Sequence, residues 1–298
     1  MKEIIARPSV TRKILNKYDL NLIKKMGQNM LIDPNILDII IDAVDLQTGD
    51  LVIEIGPGIG SLTQKLLANL KSGRLIAVEK DTRMVEVLND IFAGCDNLEV
   101  VNKDVLDMDW ESYLSPIISD YNSVKVAANL PYYITTPIIM ELLESNFFFS
   151  RLVFMVQKEV AARMAASPGT KDYGSLSVAV QYHGEAEIVH QVSPNAFLPR
   201  PEVHSSIVVL NAYEQNPYSV ENEKFFFRVV KAIFQQRRKN IKNSLLKASV
   251  FDNLKKEVIL AALDDCGLDS RIRGETLSIK KMITFSNSLW RIYRKDVI

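Results

Sequence analysis

Residues 51–70 read "LVIEIGPGIGSLTQKLLANL". A short β-branched run ends at Ile55, a turn follows in Gly56-Pro57-Gly58-Ile59-Gly60, and from Ser61 onward apolar residues recur at helical spacing. The order is strand, glycine turn, helix. Glycine in such a turn lets the backbone bend sharply and approach a ligand that a Cβ would obstruct. The pattern repeats outward from this stretch. "RLIAVE" (74–79), "NLEVVNKD" (97–104), "VKVAANL" (124–130), "RLVFMVQ" (151–157) and "HSSIVVL" (204–210) are short, β-branched and bounded by polar residues, which predicts strands. Stretches such as "DTRMVEVLNDIF" between them predict helices. Strands alternating with helices imply an α/β fold, a mostly parallel sheet covered on both faces. Ligands of such sheets bind at the carboxyl ends of the strands.

Beyond the polar, proline-containing segment "NAYEQNPYSVEN" (211–222) the strand signal stops. "EKFFFRVVKAIFQQRRKNIKNSLLKA", "NLKKEVILAALDDCGL" and "SIKKMITFSNSLWRIYR" predict helices only. Two domains are therefore expected, an α/β domain over residues 1–211 and a small all-α domain over 212–298. A chain of 298 residues accommodates both, because single cores stop growing near about 250–300 residues.

Composition narrows the class. With 47% hydrophobic and 24% charged residues the chain is that of a folded protein. No window approaches the roughly 20 apolar residues of a membrane span, and the N-terminus lacks a secretory apolar stretch, so a cytoplasmic protein is expected. Cys95 and Cys266 stand far apart, and His183, His190 and His204 have no ligand spacing, so neither a metal nor a disulfide framework is expected. Charge is balanced overall at 36 of each sign, yet unevenly placed. Residues 1–30 carry seven Lys or Arg against two acids, and residues 224–251 carry eight against none. Basic segments on an otherwise acidic chain read either as solvated helix faces or as contacts to an anionic partner, nucleic acid first.

Three strand ends align as one cofactor site. The glycine turn at Gly56 and Gly58 closes the first strand. A dinucleotide fingerprint needs a third glycine at position 61, where this chain has Ser, so a smaller adenosine-containing ligand is favoured over a nicotinamide cofactor. Glu79 closes the second strand, 23 residues after Gly56, where a carboxylate accepts from both ribose hydroxyls. Asp104 closes the third, placed to accept from an adenine amino group. Each acid alone is an ordinary strand-end residue; together with the turn they indicate an S-adenosyl-L-methionine pocket.

At the end of the fourth strand stands "NLPYYITTP" (129–137). An exocyclic amino nitrogen is a poor nucleophile because its lone pair is delocalised into the ring. The Asn129 side-chain oxygen and the Leu130 carbonyl supply acceptors for its hydrogens, Pro131 fixes the turn, and Tyr132 offers a stacking face for a flipped base, worth about 1–3 kcal/mol. Tyr133 is left open, since adjacent residues point in different directions. This chemistry rests on positioning and electrostatics rather than on a strong base.

Over nearly its whole length the chain resembles the KsgA-type ribosomal RNA adenine dimethyltransferases, the family that includes the Erm methyltransferases. The resemblance is carried by "GQNMLID" (27–33), "EIGPGIGSLT" (54–63), "NLPYYITTPI" (129–138), "MVQKEVAARMAASPGTKDYGSLSV" (155–178), "PNAFLPRPEVHSS" (194–206) and "QRRKN" (236–240), in that order. It implies a class I methyltransferase fold whose donor contacts are Asn29, Leu31, Gly56, Glu79, Asp104 and Asn129. It puts Phe197 across the target base, although by position alone Phe197 reads as a core aromatic. It makes Arg237, Arg238 and Lys239 candidate RNA contacts, otherwise a solvated helix face. Met30 departs from the family, which has phenylalanine there, and looser packing of the N-terminal flap is expected. The implied reaction is double methylation of adenine N6 at two adjacent adenines near the 3′ end of small-subunit (16S) ribosomal RNA, by a monomer. The roughly 80 residues after the linker and "RIRGETLSIKKM" (271–282) favour the small subunit over the large-subunit RNA of Erm enzymes. Two rivals remain: a DNA adenine methyltransferase, against which Leu130 stands because those enzymes carry Asp-Pro-Pro-Tyr, and a non-catalytic assembly factor on the same fold.

Overall fold

A computed structural model describes residues 3–20, 29–236, 239–251 and 254–297. Along the chain the elements are α1 (Pro8–Lys17), β1 (Met30–Leu31), α2 (Pro34–Val44), β2 (Asp50–Ile55), α3 (Ser61–Asn69), β3 (Arg74–Glu79), α4 (Thr82–Ile91), β4 (Leu98–Asn102), α5 (Trp110–Leu114), β5 (Ser123–Asn129), α6 (Thr135–Glu144), β6 (Arg151–Gln157), α7 (Lys158–Met164), α8 (Ser175–His183), β7 (Gly184–Val192), β8 (Phe197–Leu198), β9 (Ser205–Ala212), α9 (Glu223–Gln235), α10 (Ile241–Leu246), α11 (Lys256–Asp265) and α12 (Ile279–Val297). The six strands expected from sequence are β2 to β6 and β9. The two-residue strands β1 and β8 are too short to leave a periodic signal, and β7 escaped because only its end residues Gly184 and Val192 are buried, so it carries no alternating apolar face.

The chain divides into two compact units, Met1–Ala161 with Glu185–Glu214, and Ala162–Gly184 with Gln215–Ile298. This differs from the expected division at 211/212. Residues 162–184, read as part of the first domain, group with the C-terminal helices. The reason is apolar: Tyr173, Val178 and Tyr182 belong to the same buried cluster as Phe225, Phe226 and Val230. Tyr182 also donates its hydroxyl to Glu223, at 3.0 Å.

In the first unit a seven-stranded sheet has the order β4-β3-β2-β5-β6-β9-β7. Strands β2 to β6 pair in parallel and β9 is antiparallel to β6. Every residue of β2 is buried, as a central strand covered on both faces requires. Val52, Leu75, Ala127 and Val153 meet Leu37 and Ile40 of α2 and Leu66 of α3 on one side. β2 leads to β3 on one side and is flanked by β5 on the other, so strand order reverses there and a crevice opens at the carboxyl ends of both strands. Register then fixes which residues face it. Ile55 pairs with Val78 and with Ala128, so Gly56, Glu79 and Asn129, each next in its strand, share one edge. A second sheet of β1 and β8 pairs Met30 with Leu198 and Leu31 with Phe197.

The second unit is helical. Asn222 caps α9, accepting from the Phe225 N–H at 2.9 Å. The apolar stripe of α9 packs with Ile259 and Leu263 of α11 and with Met282 and Phe285 of α12. No described helix of either unit is long and apolar enough to cross a membrane.

Candidate active site

At the crevice lies a cavity of about 470 Å³, formed within the first unit. Its lining includes Asn29, Leu31, Gly56, Gly58, Glu79, Asp104, Asn129, Leu130 and Tyr132, and with them Met30, Glu54, Ser61, Lys80 and Tyr133. Nine of the expected site residues thus converge, although they come from positions 29 to 132 of the sequence.

The glycine turn is built as the sequence suggested. Gly56 has φ +67°, and a Cβ there would meet nothing within 4 Å, so the backbone presents an open face at this point. The Gly56 N–H donates to the Val78 carbonyl at 3.0 Å, which ties the turn to β3. Met30 packs over the turn, its sulfur 3.3 Å from where a Gly58 Cβ would stand. Met30 is buried with Ile59, Met84 and Phe92, whereas residues 21–28 of the flap, for which looser packing is expected, lie outside the described residues.

Glu79 is held from both sides. Its Oε2 accepts from the Gly58 N–H at 3.1 Å and its Oε1 from the Asp81 N–H at 2.8 Å. Burial pushes its carboxyl up, against the pull of those two N–H groups. Asp104 lies two residues past the end of β4 and caps a short 3-10 turn, accepting from the Leu106 N–H at 3.1 Å. Its partial burial works against ionisation, but the Lys80 ammonium at 2.5 Å and the Leu106 N–H hold it below the usual carboxylate range. The same contact raises Lys80. Two acids in one cavity are thereby set apart, one resisting charge and one fixed in it.

Asn129 closes β5 and donates from Nδ2 to the Asn29 carbonyl at 3.3 Å. Leu130 is buried, its N–H bonded to the Met155 carbonyl at 3.2 Å, so the chain leaves the sheet in a defined direction. The Tyr132 hydroxyl shares a hydrogen bond with Ser205 Oγ at 2.8 Å, which fixes the ring, and burial raises that phenol. Tyr133 also lines the cavity but is 59% exposed, at its mouth.

Phe197 is the exception among the expected site residues of this unit. It is 3% exposed, does not line the cavity, and packs in the apolar cluster with Leu31 and Ile207. Its strand partner Leu31 is the cavity residue, which leaves Phe197 one layer behind the wall. Arg237 and Arg238 lie outside the described residues, and Lys239 is exposed in the second unit. Among the described residues no group of His, Cys, Asp and Glu side chains is placed to hold a metal ion.

Glu54 was not anticipated. It is 1% exposed, lines the cavity, and accepts from the Thr63 hydroxyl of α3 at 2.7 Å. Burial pushes its carboxyl up to about 8, the Thr63 bond working against this and the nearby Glu79 charge adding to it. Its signal in the sequence was the single acid inside the apolar run "LVIEI", where a buried charge has no business unless it is paired or neutral.

Comparison with known proteins agrees with this geometry. The chain matches the model of the family described as ribosomal RNA adenine dimethylase over residues 20–287. It is 58% identical over 291 residues to ribosomal RNA small subunit methyltransferase A of Halothermothrix orenii, covering 97% of this chain and 95% of that protein. To the protein of the same name in Anoxybacillus flavithermus it is 45% identical, covering 99% and 100%. A dimethyladenosine transferase from Plasmodium falciparum superposes with a TM-score of 0.70 at 27% identity, covering 89% of this chain and 98% of that one. The 23S rRNA methyltransferase ErmE does so with 0.62 at 25% identity, covering 88% and 99%. A match over so much of the chain, with the glycine turn, the two acids and the Asn-Leu-Pro-Tyr turn gathered at one sheet edge, makes this protein a member of the ribosomal RNA adenine dimethylase family.

Proposed function

We propose that the protein dimethylates N6 of two adjacent adenines near the 3′ end of small-subunit (16S) ribosomal RNA, with S-adenosyl-L-methionine as methyl donor. One observation carries the reading: the turn at Gly56 and Gly58, Glu79, Asp104 and the stretch Asn129 to Tyr132 line a single cavity. The residues fit the donor. Asp104 suits an adenine amino group, Glu79 a ribose, and the open face at Gly56 admits a ligand where a side chain would fill the space. Asn29 and Leu31 border the same cavity from β1. When bound, S-adenosyl-L-methionine supplies a methyl group activated by its bond to a positively charged sulfur.

The chain's own part is to present the acceptor. The Asn129 Oδ1 and the Leu130 carbonyl accept the hydrogens of the adenine amino group, which draws its nitrogen toward a pyramidal form and frees the lone pair. Tyr132, its ring anchored through Ser205, gives the flipped base a stacking face. Phe197 backs Leu31 and keeps the wall behind it rigid. The basic segment 224–251 and its exposed Lys239, with Arg237 and Arg238, are assigned to RNA phosphate contacts of the helical unit. A ribosomal substrate places the protein in the cytoplasm.

The small-subunit substrate is favoured over the large because relatives named for small-subunit methylation reach 58% identity, whereas ErmE reaches 25%. A purely structural role is disfavoured by the intact, assembled Asn129 turn. Incubation with methyl-labelled donor and unmethylated subunits, followed by mass spectrometry of nucleosides, tests the reading. Dimethyladenosine in the small subunit is expected; the same product confined to the large subunit overturns the substrate, and no product overturns the enzyme.

A further inference from the structure

Tyr133 is 59% exposed, the most of any large apolar side chain among the described residues, and it borders the same cavity as Tyr132. A single exposed ring on a protein surface is ordinary; its neighbours give this one a meaning. The two consecutive tyrosines part company. The Tyr132 hydroxyl is bonded to Ser205 of β9, whereas Tyr133 stands near Lys80, just past the end of β3, whose ammonium is raised chiefly by Asp104 and further by Tyr133. In the sheet β3 and β9 lie on opposite sides of β5. One ring is therefore anchored in the wall, and the other stands at the mouth in solvent.

A base that enters the cavity stays joined to its strand, so the nucleotides beside it lie across the mouth. Flipping it out also strips a stacking partner from its neighbour and leaves a π-face bare. An exposed ring at that place restores the lost contact, because stacking on an aromatic side chain tolerates any base. Proteins that hold single strands combine such rings with cations along the backbone. Lys80, Arg83 and Lys103 all lie on this lining, with Lys80 and Lys103 exposed. Lys80 pairs with Asp104 at 2.5 Å and Arg83 with Asp81 at 2.6 Å, so these two acids do not meet a phosphate as bare charges. Glu54 and Glu79 are buried away from the strand. The donor's adenine and ribose are matched to Asp104 and Glu79 inside the cavity, and a ligand for a ring this exposed comes from outside it.

We infer that the Tyr133 ring stacks on the base next to the flipped adenine, so that one tyrosine holds the target and the other its neighbour. The inference rests on the RNA substrate assigned above.

The test is a double-mutant cycle between Tyr133→Ala and the neighbouring base. Small subunits are reassembled on RNA in which one of the two adjacent adenines at a time is replaced by a ribose without a base, and methylation of the other adenine is followed by mass spectrometry as kcat/KM. On intact RNA, Tyr133→Ala should lose about tenfold or more, the size of one stacking contact. The wild type should lose a similar factor when the baseless ribose stands on one of the two sides, and Tyr133→Ala should lose nothing further there. A wild type indifferent to the missing base on both sides overturns the inference, and so does a variant whose loss is the same with and without that base. Calorimetry should give Tyr133→Ala the wild-type affinity for S-adenosylhomocysteine; a loss matching the kinetic one assigns the ring to the donor and overturns the inference as well. A wild type that methylates no intact small subunit overturns the proposed function itself, and this contact with it.

Discussion

The Asn129 side chain donates from Nδ2 to the backbone carbonyl of Asn29, joining the end of a central strand to a segment 100 residues earlier. A carboxamide has one acceptor oxygen and one donor nitrogen, so engaging the nitrogen fixes which way the oxygen faces. The contact therefore orients Asn129 Oδ1 as well as closing the cavity. Asn129→Ala removes both, and should lower methylation by about 10²-fold or more, in the range for loss of a positioned polar group at a reacting centre. Donor binding should weaken less, because Glu79 and Asp104 are untouched. Labelled methyl transfer and equilibrium dialysis separate the two; a fully active alanine variant removes Asn129 from the role assigned to it.

Tyr132 contributes through two separable parts. Its hydroxyl bonds the wholly buried Ser205, and its ring lines the cavity. Tyr132→Phe leaves Ser205 Oγ without that partner and should cost about 1–2 kcal/mol of stability. Tyr132→Ala should in addition lose a stacking contact of about 1–3 kcal/mol, read as a roughly 5- to 150-fold larger loss of kcat/KM than for phenylalanine. Urea unfolding and subunit methylation of both variants check the split; equal kinetic losses would assign the effect to the hydroxyl.

Much of this candidate site is legible in the sequence. Gly56, Glu79 and Asn129 each follow or end an apolar run, and the rule that ligands sit at carboxyl strand ends is enough to join them. Asp104 was found for the same reason, although β4 stops at Asn102 and a capping turn carries the acid. What escaped depends on contacts that local patterns do not encode. Phe197 stands in a motif that carries the family resemblance, but pairing with Leu31 turns it into the core. The grouping of residues 162–184 with the helical unit is set by Tyr173 packing on Phe234 and Tyr182 on Phe226, contacts distant in sequence. Glu54 was visible as an oddity in a strand, but its meaning needed the reach to Thr63.

Glu54 predicts a pH signature. Its carboxyl is raised from an ordinary value of 4.5 to about 8, so the folded state binds a proton that the unfolded chain releases at lower pH. A group with a raised folded value stabilises fully below its unfolded value and loses that contribution as pH rises through the folded one. Wild-type stability relative to Glu54→Gln should therefore fall between about pH 4.5 and pH 8, by on the order of a few kcal/mol, and level off above. Thermal unfolding of both proteins from pH 5 to pH 9 measures this. Parallel curves would mean that Glu54 is ionised in the folded protein at neutral pH.

Gly56 and Gly60 have positive φ for different reasons, and substitution separates them. At Gly60, φ is +89° and a Cβ would stand 2.5 Å from the ring of Phe92, which is buried with Ile59, Met84 and Leu88. Alanine there carries the left-handed backbone cost of about 1–2 kcal/mol and must also displace a packed ring, a further 1–3 kcal/mol by the cost of overpacking. At Gly56 the backbone cost is similar, but the Cβ meets nothing in the protein at a residue that lines the cavity, where the proposed donor would feel it. Gly60→Ala should therefore unfold at markedly lower urea and bind S-adenosylhomocysteine nearly normally when folded. Gly56→Ala should lose less stability and more than about tenfold in that affinity, a steric loss of the size of one misplaced methyl group or greater. The reverse ranking in paired urea and calorimetric measurements would show that the turn at Gly56 serves packing rather than the ligand.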